Sequence, residues 1–408
     1  MMSMLAMRPA VSHALLTTPF HTRTAPLVLG QTWRRWAGHA VASCYDWTHD
    51  REYAAIRNAA ALIDISPLYK YRIEGPDAVH LLERTVTRRV APAAIGQVLY
   101  TPWCDGRGKV IDDGTLIRLG ETVFRLTSAE PNLRWLDMNA FGLDVRITDV
   151  SAALGALALQ GPLSRAVLNE AAEQPVDGLR YFRMMDNRIA GMDVQISRTG
   201  YTGDLGYEIW IPAEGCVAVW DALMAAGAGY GLTPAGMLAL DVARIEAGLL
   251  MLDVDYHSAR HALIESQKSS PFELSLDWTV SFEKEAFNGR KALLAERERG
   301  PAWRFVGIEV DQESLEALYE EADLPPALPV VPWRGSVPIF RNGRQIGYAT
   351  SGCWSPLLKK HLALAHLQAP HFVPETPVEI ELTVEHRRRR AAAYVRRLPF
   401  FDPPRKRA

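Results

Sequence analysis

"RTGYTGDLGYEIW" (residues 198–210) carries glycine at every third position, Gly200, Gly203 and Gly206, with tyrosines and acids between them. A loop that cradles phosphate needs a helix N-terminus behind its glycines. Here "YEIWI" alternates as a strand does and runs on to Pro212. The GxxGxxG spacing matches neither the dinucleotide fingerprint nor a nucleotide P-loop. The stretch therefore predicts a tight turn entering a strand, thinned so that a flat ligand can approach the backbone, and flanked by Tyr201, Asp204, Tyr207 and Glu208. Consecutive strand residues face opposite sides. An inward Glu208 among apolar neighbours needs donors, and a ligand with a row of N–H groups would supply two parallel bonds. The alternative is a hairpin turn whose acids are solvated.

Around this stretch the chain alternates strands and helices with hairpins among them. Helices are expected over 51–62, 76–87, 214–226 and 236–248, and strands over 69–75 and 154–160. Hairpins among βα units mark an α+β fold rather than a doubly wound parallel sheet. The order recurs after residue 154, which predicts two related α+β subdomains. Beyond residue 300 short strands with turn signals predict an all-β barrel or sandwich. The expected organisation is an N-terminal arm over 1–50, a catalytic region over 51–300 and a β-barrel domain over 301–408. The acidic, proline-rich 311–335 segment reads as a linker, with a lid or docking element as the alternative.

The 408 residues are too many for one ordinary core. A net charge of −2 gives no field favouring nucleic acid or an anionic membrane. The four scattered cysteines form no CxxC or zinc spacing, so no metal is expected. No apolar run is long enough to span a bilayer. Residues 1–45 contain arginine, serine and threonine but no acid, as mitochondrial transit peptides do. Pro9, Pro19 and Pro26 break any amphipathic helix there, and a cytoplasmic location is expected over a mitochondrial one. The basic runs at 385–390 and 403–408 have little aromatic interleaving and read as a solvated edge.

Two further constellations suggest chemistry. In the hairpin expected over 96–120, a loop at 104–108 sets Trp103 opposite Lys109 and Tyr100 opposite Asp112, with β-carbons roughly 5 Å apart. Tyr100 and Asp112 would then share a face while Asp113 points away. A carboxylate beside a phenol suits general-base work or stabilisation of a passing cation; the alternative is a charged edge that deters strand pairing. On the helix at 236–248, Asp241 and Arg244 stand at i, i+3. Arg244 is either an intrahelical partner worth a few tenths of a kcal/mol or a fork for a ligand carboxylate.

Several collinear motifs resemble the glycine cleavage T-protein (aminomethyltransferase) family: "IRNAAALIDIS" (56–66), "GKVIDDGTLIRL" (108–119), "LALQGPLSRAVL" (157–168), "SRTGYTGDLGYEIW" (197–210), "LDVARIEAGLL" (240–250), "SPFELSLDWTVSF" (270–282) and "IGYATSGCWSP" (346–356). The resemblance implies a cloverleaf of two α+β domains and a C-terminal β-barrel around a tetrahydrofolate site, and transfer of a one-carbon unit to tetrahydrofolate. It implies catalytic roles for Asp112 and Tyr100, and folate binding by Glu208, Arg244, Tyr201, Tyr207, Gln160 and Trp103. It also implies a small-molecule one-carbon donor or, as in glycine cleavage, a lipoyl carrier protein. Where the family has His-Met after its "DVS" segment, this chain has Asp64-Ile65-Ser66-Pro67-Leu68-Tyr69. That change falls on the donor side of the implied pocket and sets demethylation of a small methylated compound beside aminomethyl transfer. A folate-binding module without transfer chemistry is a further alternative. The absence of a dinucleotide fingerprint speaks against a flavin-dependent amine dehydrogenase fragment.

Overall fold

A computed structural model describes residues 15–408. The first part of the transit-like segment, residues 1–14, lies outside the described residues. Two antiparallel-dominated sheets and a closed barrel meet at a common core, as the α+β cloverleaf expectation required.

The first sheet has five strands in the order Val98–Cys104, Val110–Arg118, Val123–Ser128, Tyr69–Glu74 and Arg146–Asp149. The Ala78–Thr85 helix turns Ala78, Leu81, Leu82 and Thr85 onto it, the spacing of one helical face. The second sheet has six strands, in the order Met184–Ile189, Met192–Ser197, Gly206–Pro212, Leu154–Gln160, Ala60–Asp64 and Leu232–Pro234. It is buried on both faces, and alternation sorts its side chains. Leu157, Leu159, Tyr207, Ile209 and Ile211 face the Ser164–Ala171 and Cys216–Gly227 helices, whereas Ala156, Ala158 and Trp210 face the central core.

Both sheets use one joint. Tyr69–Glu74 passes through Gly75-Pro76 into its helix, and Leu154–Gln160 through Gly161-Pro162 into its own. Both glycines have positive φ, +137° and +122°. A Cβ on Gly75 would lie 2.6 Å from the Asp144 carbonyl oxygen, and one on Gly161 the same distance from that of Ala59. This repeated joint is the residue-level trace of the two related subdomains.

Two expectations need correction. The helix expected to run to residue 62 ends at Asn58, and Ala60–Asp64 is a strand paired antiparallel with Leu154–Gln160 and parallel with Leu232–Pro234. Its alanines and leucine suit either state, and pairing on both edges decides it. The 311–335 segment is not simply a linker. Asp311 caps a Gln312–Glu320 helix by accepting from the Ser314 N–H, and Leu315 is buried in the barrel's core. The barrel closes in the order Trp303–Val310, Lys360–Gln368, Arg344–Ser355, Trp333–Arg341, Pro377–Val384 and Arg387–Arg396. The N-terminal arm forms a small sheet of Leu16–Thr17, His39–Ala42 and Trp33–Trp36.

Gly161→Ala is expected to destabilise the protein by about 1–3 kcal/mol, because the residue must hold a left-side φ while its Cβ meets backbone. Thermal unfolding checks this, and an unchanged Tm would refute the joint's role.

Candidate active site

The lobes enclose a cavity of about 1650 Å³. Its wall takes Tyr100 and Asp113 from the first sheet, Gln160 and Glu208 from the second, and Arg334 and Arg396 from the barrel. Typical small-molecule pockets are roughly 300–1,000 Å³, so this one has room for two reactants together.

Asp113, not Asp112, is the carboxylate on the wall. The hairpin pairs Tyr100 with Thr115 and Trp103 with Asp112, and carries an irregularity between Trp103 and Cys104. The register therefore differs from the expected one by an odd number of positions, and an odd slip exchanges the two faces. Asp113 lies two residues from Thr115 and shares its face with Tyr100. The Tyr100 hydroxyl donates to Asp113 Oδ2 at 2.8 Å, and the Tyr256 hydroxyl donates to Oδ1. Burial raises the Asp113 carboxyl above the ordinary carboxylate range, and the two phenols pull it back. Burial also holds both phenols well above their ordinary values, so they remain neutral donors.

Asp112 is fully buried on the opposite face. It accepts from the Asp113 N–H at 2.8 Å, the Glu130 N–H at 3.0 Å and Asn132 Nδ2 at 2.9 Å. It holds the loop that presents Ala129 and Glu130 to the cavity. Trp103 is also enclosed on this side, with its indole N–H directed at Asn132 Oδ1, 3.4 Å away. This register keeps Asp112 and Trp103 off the cavity wall, which corrects the expected catalytic role of the first and the expected folate-binding role of the second.

Glu208 lines the cavity and Tyr207 packs behind the second sheet, where its hydroxyl accepts from Arg165 Nε at 3.1 Å. The expected binding role of Tyr207 is thus corrected. Burial raises the Glu208 carboxyl, while the Thr199 hydroxyl, 2.8 Å from Oε2, and the nearby Arg125 guanidinium favour its charged form. Among the described residues Oε1 accepts no hydrogen bond. Arg125 stacks 4.4 Å from the Trp210 ring centroid, and burial pushes its pKa down to about 10.

The three glycines of 198–210 are spent differently from expectation. A Cβ on Gly200 or Gly206 would lie 2.0 or 2.3 Å from Gln160 Oε1, and one on Gly203 would lie 2.5 Å from Ala247 Cβ. The first two make room for an amide, not directly for a ligand. Gln160 Nε2 donates to the carbonyls of Thr199 and Tyr207, and its Oε1 accepts from Thr202, so this side chain orders the loop from the cavity wall. Tyr201 also lines the cavity, with its hydroxyl donated to the Leu250 carbonyl.

Arg244 is fully buried and absent from the wall. Its Nη1 lies 2.6 Å from Asp255 Oδ2, and Asp241 stands 3.5 Å from its Nε. The expectation that it grips a ligand carboxylate is corrected, because its charge is neutralised inside the protein. Sequence reasoning missed Asp113, Tyr256 and the cavity-lining Arg35. The hairpin irregularity that exposes Asp113 left no signal in the residues, Tyr256 arrives from a distant loop, and Arg35 arrives on the Trp33–Trp36 strand of the N-terminal arm.

Residues 24–284 match the GCVT N-terminal domain and residues 323–402 match the glycine cleavage T-protein C-terminal barrel domain. The chain belongs to the glycine cleavage T-protein family. An aminomethyltransferase of Halothermothrix orenii is 34% identical over 354 residues, covering 86% of this chain and 90% of that protein. A trimethylamine-oxide aldolase of Ruegeria pomeroyi is 34% identical over 403 residues, covering 95% of this chain but 47% of the relative. The crystal structure of glycine cleavage system aminomethyltransferase T from Bartonella henselae superposes with a TM-score of 0.80 at 28% identity, covering 95% of this chain and 98% of that one. Aminomethyltransferases of this family are enzymes that use tetrahydrofolate, and in glycine cleavage they work with a lipoyl carrier. Among the described residues no helix is long and apolar enough to cross a membrane.

Tyr100→Phe is expected to move the acid limb of kcat/KM to higher pH. A limb set by Asp113 moves this way because the phenol favours the anion, so its loss raises an already raised pKa. A pH–rate profile checks this, with the basic limb as the internal control.

Proposed function

We propose that this protein transfers a one-carbon unit from a donor in the Asp113 part of the cavity to tetrahydrofolate read by Glu208. The observation that carries the reading is the Asp113 carboxylate, clasped by two neutral phenols on the wall of a cavity whose far sheet supplies a second carboxylate. Glu208 fits a flat ligand edged with N–H groups, since one oxygen is held by Thr199 while the other accepts nothing from the described residues. Bound tetrahydrofolate supplies the secondary amine that takes up the carbon, so the protein need not provide a nucleophile.

Asp113 has two tasks. Its negative charge balances a cationic donor, and its oxygens accept the proton released as the carbon is transferred. General-base assistance of this kind is typically worth 10²–10⁴-fold. Tyr100 and Tyr256 aim the carboxylate and keep it ionised despite burial. Asp112 acts through the fold, by holding the loop at 128–132 beside it.

The aminomethyltransferase relatives favour an aminomethyl-derived methylene as the unit transferred, and a lipoyl carrier as its bearer. The trimethylamine-oxide aldolase relative spans nearly the whole chain and favours a second reading, demethylation of a small methylated compound. Product identity separates them: ammonia with methylene-tetrahydrofolate for the first, and 5-methyl-tetrahydrofolate for the second.

Glu208→Ala is expected to weaken tetrahydrofolate binding by about 2–4 kcal/mol, roughly 30- to 1000-fold, through loss of a charge-assisted pair. Asp113→Asn is expected to leave that affinity within a few-fold and lower turnover by roughly 10²–10⁴. Calorimetry with tetrahydrofolate and a single-turnover assay read the two effects. A Glu208→Ala protein that binds as tightly as wild type would overturn the assignment of the folate end.

A further inference from the structure

Arg125 is a buried cation to which the one-carbon chemistry gives no task. It stands on the Val123–Ser128 strand of the first sheet, two residues before Thr127 on the cavity wall, and reaches across to the second sheet. Its Nη1 donates to Gln195 Oε1 at 2.6 Å, and its guanidinium lies 4.4 Å from the Trp210 ring centroid. Its Nε and Nη2 are buried and, among the described residues, find no acceptor. Buried donors are costly to leave unpaired. Arg198 and Arg244 also carry unpartnered nitrogens, but Arg198 donates to the carbonyls of Leu179 and Lys406, and Arg244 stands between Asp255 and Asp241. Arg125 meets only a neutral amide and an indole face.

Trp210 and Glu208 are two residues apart on Gly206–Pro212 and so share a face of the second sheet. The indole serves with both its face and its edge. Its face carries the Arg125 guanidinium, a cation–π contact. Its N–H, 3.3 Å from Ser197 Oγ, begins a chain that runs from Ser197 to Thr199 at 2.9 Å and from Thr199 to Glu208 Oε2 at 2.8 Å. An indole can only donate, and Thr199 spends its one proton on the carboxylate, so the chain points toward Glu208. This chain and the Arg125 charge both favour an ionised Glu208 against the effect of burial. The other charges facing the pair are Asp186, which accepts from Gln195 at 3.2 Å, and Lys70, whose ammonium is spent on the carbonyls of Ser66 and Leu68.

A cation in direct contact with Glu208 would occupy the oxygen that a ligand needs. One held back by Gln195 and the Trp210 face acts through space and takes up no lone pair. We infer that Arg125 is a positioning residue for tetrahydrofolate, a counter-charge that stands off Glu208 and leaves Oε1 open to the N–H edge of the ligand. This inference rests on the folate reading of Glu208 and accounts for how that carboxylate is kept ready. Only the anion accepts fully at both oxygens, so folate affinity falls as pH drops through the Glu208 value. Without the guanidinium that value rises further, and the fall begins at higher pH.

The test follows tetrahydrofolate affinity of the full chain by calorimetry from about pH 5 to about pH 9, for wild type, Arg125→Met, Arg125→Lys and Gln195→Glu, each also combined with Glu208→Gln. Titration of the folate itself is common to all of them and cancels. Arg125→Met is expected to move the midpoint of the affinity loss up by about one pH unit, about a tenfold weakening on the acid side and little change on the alkaline side. Gln195→Glu sets a carboxylate against the guanidinium and should shift the midpoint the same way, which decides the matter if Arg125→Met does not fold. Arg125→Lys should recover part of the shift. With Glu208→Gln none of the three should alter the profile. Midpoints that stay in place in both Arg125→Met and Gln195→Glu would overturn the inference. So would a weakening that is equal at every pH or that persists with Glu208→Gln, the mark of a merely structural role. Ionisation of Glu208 is read without ligand by NMR of carbon-13-labelled glutamate, its signal identified by loss in Glu208→Gln. Failure of wild type to bind tetrahydrofolate would strike the folate reading, while the NMR midpoint would still decide whether Arg125 acts on Glu208.

Discussion

Three buried charges on the Met237–Glu246 helix hold the lobes in one arrangement. Asp241 receives Arg34 from the N-terminal arm and Arg334 from the barrel. Arg244 pairs with Asp255, whose other oxygen accepts from the hydroxyls of Thr350 and Ser351 on a barrel strand. Glu246 accepts from Arg57 and Tyr53 on the Asp50–Asn58 helix and from Ser355 of the barrel. Replacing a buried ion pair by apolar groups is often neutral or stabilising, whereas removing one partner costs about 3–5 kcal/mol. Such a network contributes little net stability, but it penalises any packing in which its charges lose their partners. Arm, helix and barrel are thereby held in register around the cavity.

The cavity inherits its geometry from that constraint. Asp113 and Glu208 belong to different sheets, and neither sheet alone would set the separation between them. The common core fixes it, where Ala156, Ala158 and Trp210 of the second sheet meet Cys104 and Val110 of the first sheet's hairpin and Leu362 and Leu364 of the barrel. Burial serves the chemistry as well as the fold. It raises the carboxyls of both Asp113 and Glu208, and each is returned toward its charged form by hydroxyl donors supplied by its own surroundings. Because the folded-state values lie above the unfolded ones, these two groups favour the folded state below the ordinary carboxylate range. That contribution is lost as pH rises through the raised values.

Much of this was legible in the residues. The alternation of "YEIWI" separated Tyr207 from Glu208 correctly, and the shift from βα units to short strands announced the barrel. What escaped had physical causes. Hairpin counting assumes an unbroken ladder, and the irregularity at Trp103–Cys104 exchanged the roles of two adjacent acids. Arg244 carries the charge and shape of a ligand-binding residue, and only the fold shows Asp255 already occupying it. The glycines at 200 and 206 announced a close approach, but the approaching group is the Gln160 side chain. A sequence shows that space is needed without showing what fills it.

The adjacent acids Asp112 and Asp113 show how strand geometry divides labour. Successive side chains in a strand diverge by half a turn, so two carboxylates one residue apart enter different environments with no change in chemistry. Asp112 meets three N–H donors and becomes a brace for the loop at 128–132. Asp113 meets two phenols and open volume. A brace is satisfied by the protein and needs nothing further, whereas a clasped carboxylate at a cavity wall can still accept a proton or face a cation. The one-residue step between them also links brace to wall directly, since the Asp113 N–H is one of the donors to Asp112. Loosening the brace would therefore reach the Asp113 wall of the cavity through the backbone of Asp113 itself, although the Asp112 side chain does not line that wall.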